Sequence, residues 1–251
     1  MTRTQIDLGS IQCNTGVRDG NGVLWSCGWP DGWDSPAQRG GTLDPTGRDG
    51  SVALSPFWSS RQLVIPGMCR ATTEAAAWDA YYLLMSGLPG LRGSMDVVVH
   101  ESTPKGLTVV QHAQPRADPK GINSAFSFTW SLNLRADDPL KRALTATTGT
   151  LASGSSSLTN NGTTAAYPVL TTTSSGTVDL TINGRQFATG TVPSGTVIDM
   201  WARTITDGSG NDITPWPKVS ATEWLAFPPS INAVDYAGTA SCTYSFHDTY
   251  A

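Results

Sequence analysis

Three histidines, four cysteines, nine tryptophans and a scatter of carboxylates are the side chains of this 251-residue chain whose types could do chemistry or recognition. A nucleophile–base–orienter triad would need one of His100, His112 and His247 beside an activated hydroxyl or thiol. No Gly-x-Ser-x-Gly elbow marks such a nucleophile, and each histidine reads as a strand end or a loop residue. His247-Asp248 supplies two ligand types side by side, but neighbours on a strand point to opposite faces. That pair therefore reads as the polar end of the last strand rather than a metal site. A glycosidase would need two carboxylates across a cleft. Asp31, Asp34, Glu101, Asp118 and Glu223 are the candidates, and all read as solvated turn residues. No glycine-rich loop precedes a helix in the manner that cradles phosphate. The expectation is a chain without catalytic residues, cofactor or metal.

The cysteines Cys13, Cys27, Cys69 and Cys242 have neither CxxC spacing nor a histidine at zinc-ligand distance. They read as reduced thiols, with a Cys13–Cys27 bridge as the alternative. Three tryptophans recur every four residues in Trp25-Ser-Cys-Gly-Trp29-Pro-Asp-Gly-Trp33. Gly28, Pro30 and Gly32 forbid a good helix there, so the rings sit on a loop or irregular strand. Three roles stay open for them: packing of the loop on the core, a subunit interface, or stacking on sugar rings. Trp216, held between Pro215 and Pro217, invites the same three readings.

These residues must be positioned by elements that are mostly strands. One helix is expected over 73–86. Thr72 or Thr73 caps it, Glu74 suits its dipole, Trp78, Tyr81, Tyr82 and Met85 share a face, and Gly87 and Pro89 stop it. Phe126, Phe128, Trp130, Leu132 and Leu134 alternate with polar residues as a half-buried strand does. Val178, Leu180 and Ile182 alternate likewise and run into Asn183-Gly184, a hairpin turn signal. Cys242, Tyr244 and Phe246 mark a strand near the C-terminus. Shorter strand candidates are 52–54, 62–65, 96–100, 107–111, 169–173 and 196–201.

Charged residues make up 14% of the chain, against roughly 25% in ordinary soluble proteins, while hydrophobic residues make up 39%. Glycine, serine and threonine fill the difference, which favours short strands joined by turns. The net charge of -4 argues against nucleic acid or an anionic membrane as a partner. Neither a signal-peptide core nor a stretch long enough to span a bilayer is visible, so synthesis in a cytoplasm is expected. Asn161-Gly162-Thr163 matches a glycosylation sequon but reads better as a turn. Asp138-Pro139 and the Thr/Ser/Gly run after it divide the chain. The expected organisation is an N-terminal β domain over 1–142, a Ser/Thr/Gly-rich joint over 143–159 and a C-terminal β-sandwich over 160–251.

Three stretches, in order, resemble one family. Leu132-Asn133-Leu134-Arg135-Ala136-Asp137-Asp138-Pro139 is similar to the strand and Asp-Pro junction that closes the first domain of distal tail proteins of long-tailed phages. Asn160-Asn161-Gly162-Thr163 followed by Tyr167-Pro168-Val169-Leu170 resembles the opening of their second domain. Ala240–Tyr250 resembles their aromatic, Asp-containing final strand. Minor tail proteins of phages with actinobacterial hosts are closest in their Gly, Thr and Trp content. The resemblance implies a mainly β fold of two β domains. The first is a β-sandwich or split barrel with one packed helix, and the second is galectin-like or carbohydrate-module-like. It also implies a structural virion protein at the tail tip. Such proteins form a homo-hexameric ring through the first domain, which joins the tail tube protein to the tail-tip hub and the host-adhesion apparatus. A carbohydrate-binding module for host cell-wall glycans is the alternative, and a wall-degrading enzyme a third reading. The Trp25–Trp33 loop has no counterpart in the family pattern.

Overall fold

A computed structural model describes residues 4–34, 38–39, 42–43, 52–53, 57–87, 94–111, 116–214 and 223–251. The chain folds into two compact units, residues 1–141 with Ala251, and residues 142–250. Both are built on antiparallel strands, and the fold is mainly β.

The principal strands of the first unit are β1 (Ile6–Leu8), β2 (Ile11–Cys13), β3 (Val23–Cys27), β4 (Arg61–Ala71), β5 (Ser94–Val99), β6 (Lys105–Gln111), β7 (Arg116–Asp118) and β8 (Ser127–Ala136). They make one sheet in the order β2-β1-β5-β6-β8-β4-β3, with β7 also on β8. Its spine is the β4–β8 pair, in register from Ser127 opposite Arg70 to Ala136 opposite Arg61. The alternation expected of β8 holds: Phe128, Trp130, Leu132, Leu134 and Ala136 are buried. The strand starts one residue late, because Phe126 adopts a left-handed φ of 48° that ends the short helix Ile122–Ala125. Trp130 faces Gly67 across the ladder. A Cβ on Gly67 would meet the indole at 2.1 Å, so only glycine leaves room for the ring.

Helix α1 (Glu74–Tyr82) starts where expected. The Thr73 hydroxyl accepts from the Ala76 N–H, and Leu83–Gly87 continues as a π-helical turn. Its buried face differs from the aromatic stripe read from the sequence. Ala77, Ala80 and Leu84 are buried, Trp78 and Tyr81 flank the core, and Tyr82 points outward. Small side chains let the helix approach the sheet closely, and the larger rings pack around the contact instead of beneath it. Trp78, Tyr81 and Tyr82 pack on one another, and Tyr81 meets Phe128 edge-on at 5.7 Å.

The second unit contains β9 (Thr147–Leu151), β10 (Gly154–Asn160), β11 (Val169–Thr172), β12 (Gly176–Ile182), β13 (Arg185–Val192), β14 (Val197–Asp199), β15 (Thr204–Thr206), β16 (Ser230–Tyr236) and β17 (Cys242–Phe246). A five-stranded sheet runs β9-β17-β11-β14-β15 and a four-stranded sheet runs β10-β16-β12-β13. One apolar core is filled from both, by Leu170, Ile198, Ile205 and Phe246 on one side and Leu180, Ile182, Phe187 and Val234 on the other. This is a β-sandwich. Asn183 and Gly184 turn β12 into β13 with φ of 49° and 81°, as the Asn-Gly signal requires. The run 143–159, read as a joint, carries β9 and most of β10, one strand in each sheet. Threonine-rich residues with no apolar face look like a linker in sequence, yet they pair readily at a sheet edge.

Candidate functional site

The tryptophan loop shows what the first unit does with its aromatic residues. Trp25 lies in β3 and is buried edge-on to Phe128 and Trp130, and its indole N–H donates to Asp19 at 3.2 Å. Trp33 is completely buried. Only Trp29 of the three stands at the surface, 42% exposed. Of the roles left open for Trp25 and Trp33, the structure takes core packing. Their alternating large faces fill volume that the glycines around them cannot. Trp216 and His112 lie outside the described residues.

Trp33 is fastened from three sides. Its indole N–H donates to Glu101 Oε1 at 2.8 Å, and Lys105 donates to Oε2 of the same carboxylate at 2.8 Å. Its carbonyl accepts from Arg61 and from Lys141, the latter at 3.1 Å, and the Lys141 ammonium sits 5.3 Å from the Trp33 ring centroid. Arg61 is 1% exposed and also donates to Gly32 O and, through Nε at 2.8 Å, to Pro139 O. Burial lowers the Arg61 pKa to about 10 against an opposing pull from Asp34. Burial and the Arg61 charge push Lys141 down as well. Burial favours the neutral Glu101, but the hydrogen bonds from Lys105 and Trp33 outweigh it and hold the carboxyl below its ordinary value. Two buried cations on backbone carbonyls thus clamp the loop to the sheet. Neither was legible in sequence, where Arg61 and Lys141 look like ordinary surface residues.

A second device is Asn14, at a left-handed φ of 63° just past β2. Its N–H donates to Trp25 O at 3.0 Å. Its side chain accepts from the Cys27 N–H at 3.1 Å and donates to Cys27 O at 3.0 Å and Thr4 O at 2.9 Å. The two end strands of the sheet, β2 and β3, therefore meet through one asparagine without forming a ladder. The sheet is antiparallel and does not close into a barrel.

Cys13, Cys27, Cys69 and Cys242 are all buried, and none is in a disulfide. A hydrogen bond with Cys27, then burial, raises the Cys13 thiol, while burial raises Cys69 to about 12 and Cys242 to about 11. For Cys13, Cys69 and Cys242 the upward shift favours the thiol over the nucleophilic thiolate.

The remaining candidates are structural in their settings. His100 Nε2 lies 2.8 Å from Asp7 Oδ2, and His247 Nδ1 lies 2.7 Å from Ala143 O. Asp31 makes a backbone bridge to Val64, Asp118 caps the turn at Lys120, and Glu223 pairs with Arg185 in the second unit. Asp248 accepts from the Asn161 backbone and side chain at 3.0 and 3.1 Å, which ties the Asn-Asn-Gly-Thr segment to the final residues. Asn160, almost fully buried, donates to Thr164 O and Phe227 O and accepts from the Gly162 N–H. Asn161-Gly162 is thus a fastened segment. Among the described residues no group of three or more His, Cys, Asp or Glu is placed to hold a metal ion. No helix among them is long and apolar enough to cross a membrane.

The second unit carries a shallow open groove of about 370 Å³ on its five-stranded sheet. Its walls are Thr148, Gly149, Thr150, Val169, Thr171, Thr243, Tyr244 and Ser245. Threonine and serine side chains line it together with Val169 and Tyr244, and none of them carries a charge.

Neither a protein-family model nor a curated protein matches the sequence. Solved structures do match the fold. The SPP1 Dit protein, described as a paradigm of the hub adsorption apparatus in phages infecting Gram-positive hosts, aligns with a TM-score of 0.71 at 15% identity. That alignment covers 99% of this chain and 100% of the other. A chain of the phage P2 baseplate in its activated conformation with calcium aligns at 0.52 and 7% identity, over 98% of both. The strontium form aligns at 0.51 and 7%, over 96% and 97%. The chain has the Dit fold, with a galectin-like second unit.

Proposed function

We propose that this chain is a structural virion protein of the phage tail tip, of the distal or minor tail type. In this reading it assembles as an oligomeric ring, a hexamer by the family pattern, between the tail tube protein and the hub that carries the host-adhesion apparatus. One observation carries the reading: the alignment with SPP1 Dit spans both chains almost completely, so both units and their order are shared. An actinobacterial host, read from composition, belongs to the same proposal. Ring formation is proposed for the first part, 1–142, with the strands of 143–159 counted with 160–251 as the outward-facing part.

The settings of the candidate catalytic residues support a non-enzymatic role. The carboxylates and histidines described above act as caps, ion pairs and backbone fasteners within their own units. A ring requires a head-to-tail interface, with two different patches on each subunit. Trp29, exposed on the first unit, is proposed as an anchor in one of them. The test is the native mass by light scattering, alone and with the neighbouring tail proteins. A particle near six times the 26.5 kDa subunit is expected. A monomer under both conditions overturns the ring.

A second reading, host cell-wall glycan binding, is favoured by the uncharged groove with Tyr244 in its wall and by the exposed Trp29. Retention on a cell-wall fraction, lost in Trp29→Ala, Trp216→Ala or Thr171→Lys, is its expected outcome. No retention of the wild-type chain on any wall fraction overturns it.

A further inference from the structure

Cys13 ends β2 and Cys27 ends β3, the two end strands of the first sheet. Both side chains enter the same apolar core, 0% and 2% exposed. Asn14, the residue after Cys13, brings them together. Its side chain accepts from the Cys27 N–H at 3.1 Å and donates to Cys27 O at 3.0 Å and to Cys27 Sγ at 3.6 Å. The Cys13 and Cys27 thiols share a hydrogen bond. Two sulfurs are therefore neighbours at the one place where the sheet ends meet, and among the described residues no ladder pairs β2 with β3.

A disulfide needs Cα atoms within about 7 Å and Cβ atoms turned toward each other. Thiols that share a hydrogen bond already point at one another. Strand ends held by one asparagine, instead of a ladder, can shift to close the remaining gap. Cys69 is the third thiol of this core, in β4 opposite Trp25, whereas Gly67 stands opposite Cys27. Cys27 and Cys69 are thus a diagonal pair, about 7 Å apart, beyond the roughly 4 Å between the Cβ atoms of a disulfide.

We propose that Cys13 and Cys27 are a covalent modification site, oxidised to a disulfide that ties β2 to β3 once the protein meets an oxidising medium. The oxidant class is a peroxide, small and uncharged enough for a buried site where a bulky mixed disulfide would not fit. One sulfur attacks a peroxide oxygen, the O–O bond breaks and water leaves, which gives a sulfenic acid. The second sulfur attacks the first, the S–O bond breaks, a second water leaves and the S–S bond forms. Two thiols and one hydrogen peroxide become one disulfide and two waters. Thiolate is scarce at Cys13, so the bond forms over hours rather than seconds. Such a pair stays reduced in a cytoplasm and closes in a released particle. That timing rests on the virion reading, whereas the bond itself does not.

The full chain is purified reduced, incubated with hydrogen peroxide at neutral pH, alkylated in denaturant and digested with trypsin. Arg18 lies between the two cysteines, so cleavage separates them unless they are linked. Mass spectrometry should show the loss of two hydrogens, confined to a linked pair of peptides that hold Cys13 and Cys27. Cys69 and Cys242 should be alkylated, and dithiothreitol should reverse the link. Cys69→Ala should form the bond at an unchanged rate, and Cys27→Ser should leave Cys13 open to alkylation. The oxidised wild-type chain, which needs no substitution, should show slower amide exchange over 11–27 and a melting temperature of the first unit raised by about 5 °C or more. No linked pair from the folded chain, a link through Cys69, or a link that forms only in denaturant overturns the site. A linked pair in a chain that shows no ring by light scattering supports the site and counts only against the tail-tip reading.

Discussion

The two units solve the same problem, a curved antiparallel sheet with polar groups to bury, in opposite ways. The first uses charge. Arg61 and Lys141 are buried against backbone carbonyls, with Glu101 and Lys105 behind the Trp33 indole. Among the described residues the second buries only neutral polar side chains: Asn160, Thr172, Thr189, Thr196, Asn232 and Thr249. A buried charge costs several kcal/mol unless its hydrogen bonds are complete, whereas a buried amide or hydroxyl is cheaper to satisfy. The first unit should therefore be the one that fails when a single partner is removed. The second should be less sensitive to pH and salt.

That contrast is broken most severely at Trp33. Trp33→Ala should cost about 4 kcal/mol from lost packing, and it strips the Glu101 acceptor of its indole donor. Amide exchange resolved by unit should show 1–141 opening while 142–250 stays protected. Equal loosening of both would mean that the clamp is not local. Asn160→Ala is the counterpart in the second unit. It takes the side-chain donor from Thr164 O and one of two donors from Phe227 O, leaves the Gly162 N–H without its acceptor, and should cost about 2–3 kcal/mol, read as faster exchange in 142–250 alone.

Glu101 sharpens the difference in pH response. Its folded pKa is depressed, so its contribution is fully present above the ordinary carboxyl value of 4.5. It is lost as pH falls through the lower folded value. Glu101→Gln should lower neutral-pH stability of the first unit by about 1.5 kcal/mol and flatten its acid limb, measured by denaturant titration at several pH values. An unchanged acid limb would remove Glu101 from the clamp. The smallest effect is expected at the hairpin turn. Gly184→Ala places a side chain at a φ of 81° and should cost about 1 kcal/mol, seen as a small fall in the melting temperature of the second unit.

Strands with strict alternation were legible because their signal is local. Phe128 to Leu134 and Val178 to Ile182 carry a period of two that only a half-buried strand satisfies. Thr73, Glu74 and Gly87 bracket the helix by local chemistry. The helix's inner face was not legible, because Ala77 and Ala80 outrank Trp78 and Tyr82 only once a sheet lies against them. The same holds for the tryptophan loop. Gly28, Pro30 and Gly32 say that the rings sit on a loop or irregular strand, but whether a ring faces core or solvent depends on strands far along the chain, and Trp29 and Trp33 came out opposite.

The sequence by itself determined a mainly β chain with one capped helix, an Asn-Gly hairpin and a charge-poor Thr/Ser segment, since each follows from residues a few positions apart. Only the tertiary structure decided that Arg61 and Lys141 converge on one carbonyl, that Asn14 joins two sheet ends, and that the charge-poor segment supplies an end strand to each sheet of the second unit. Those are long-range meetings. Side-chain type limits what can happen when the groups meet, but the fold alone sets which groups do.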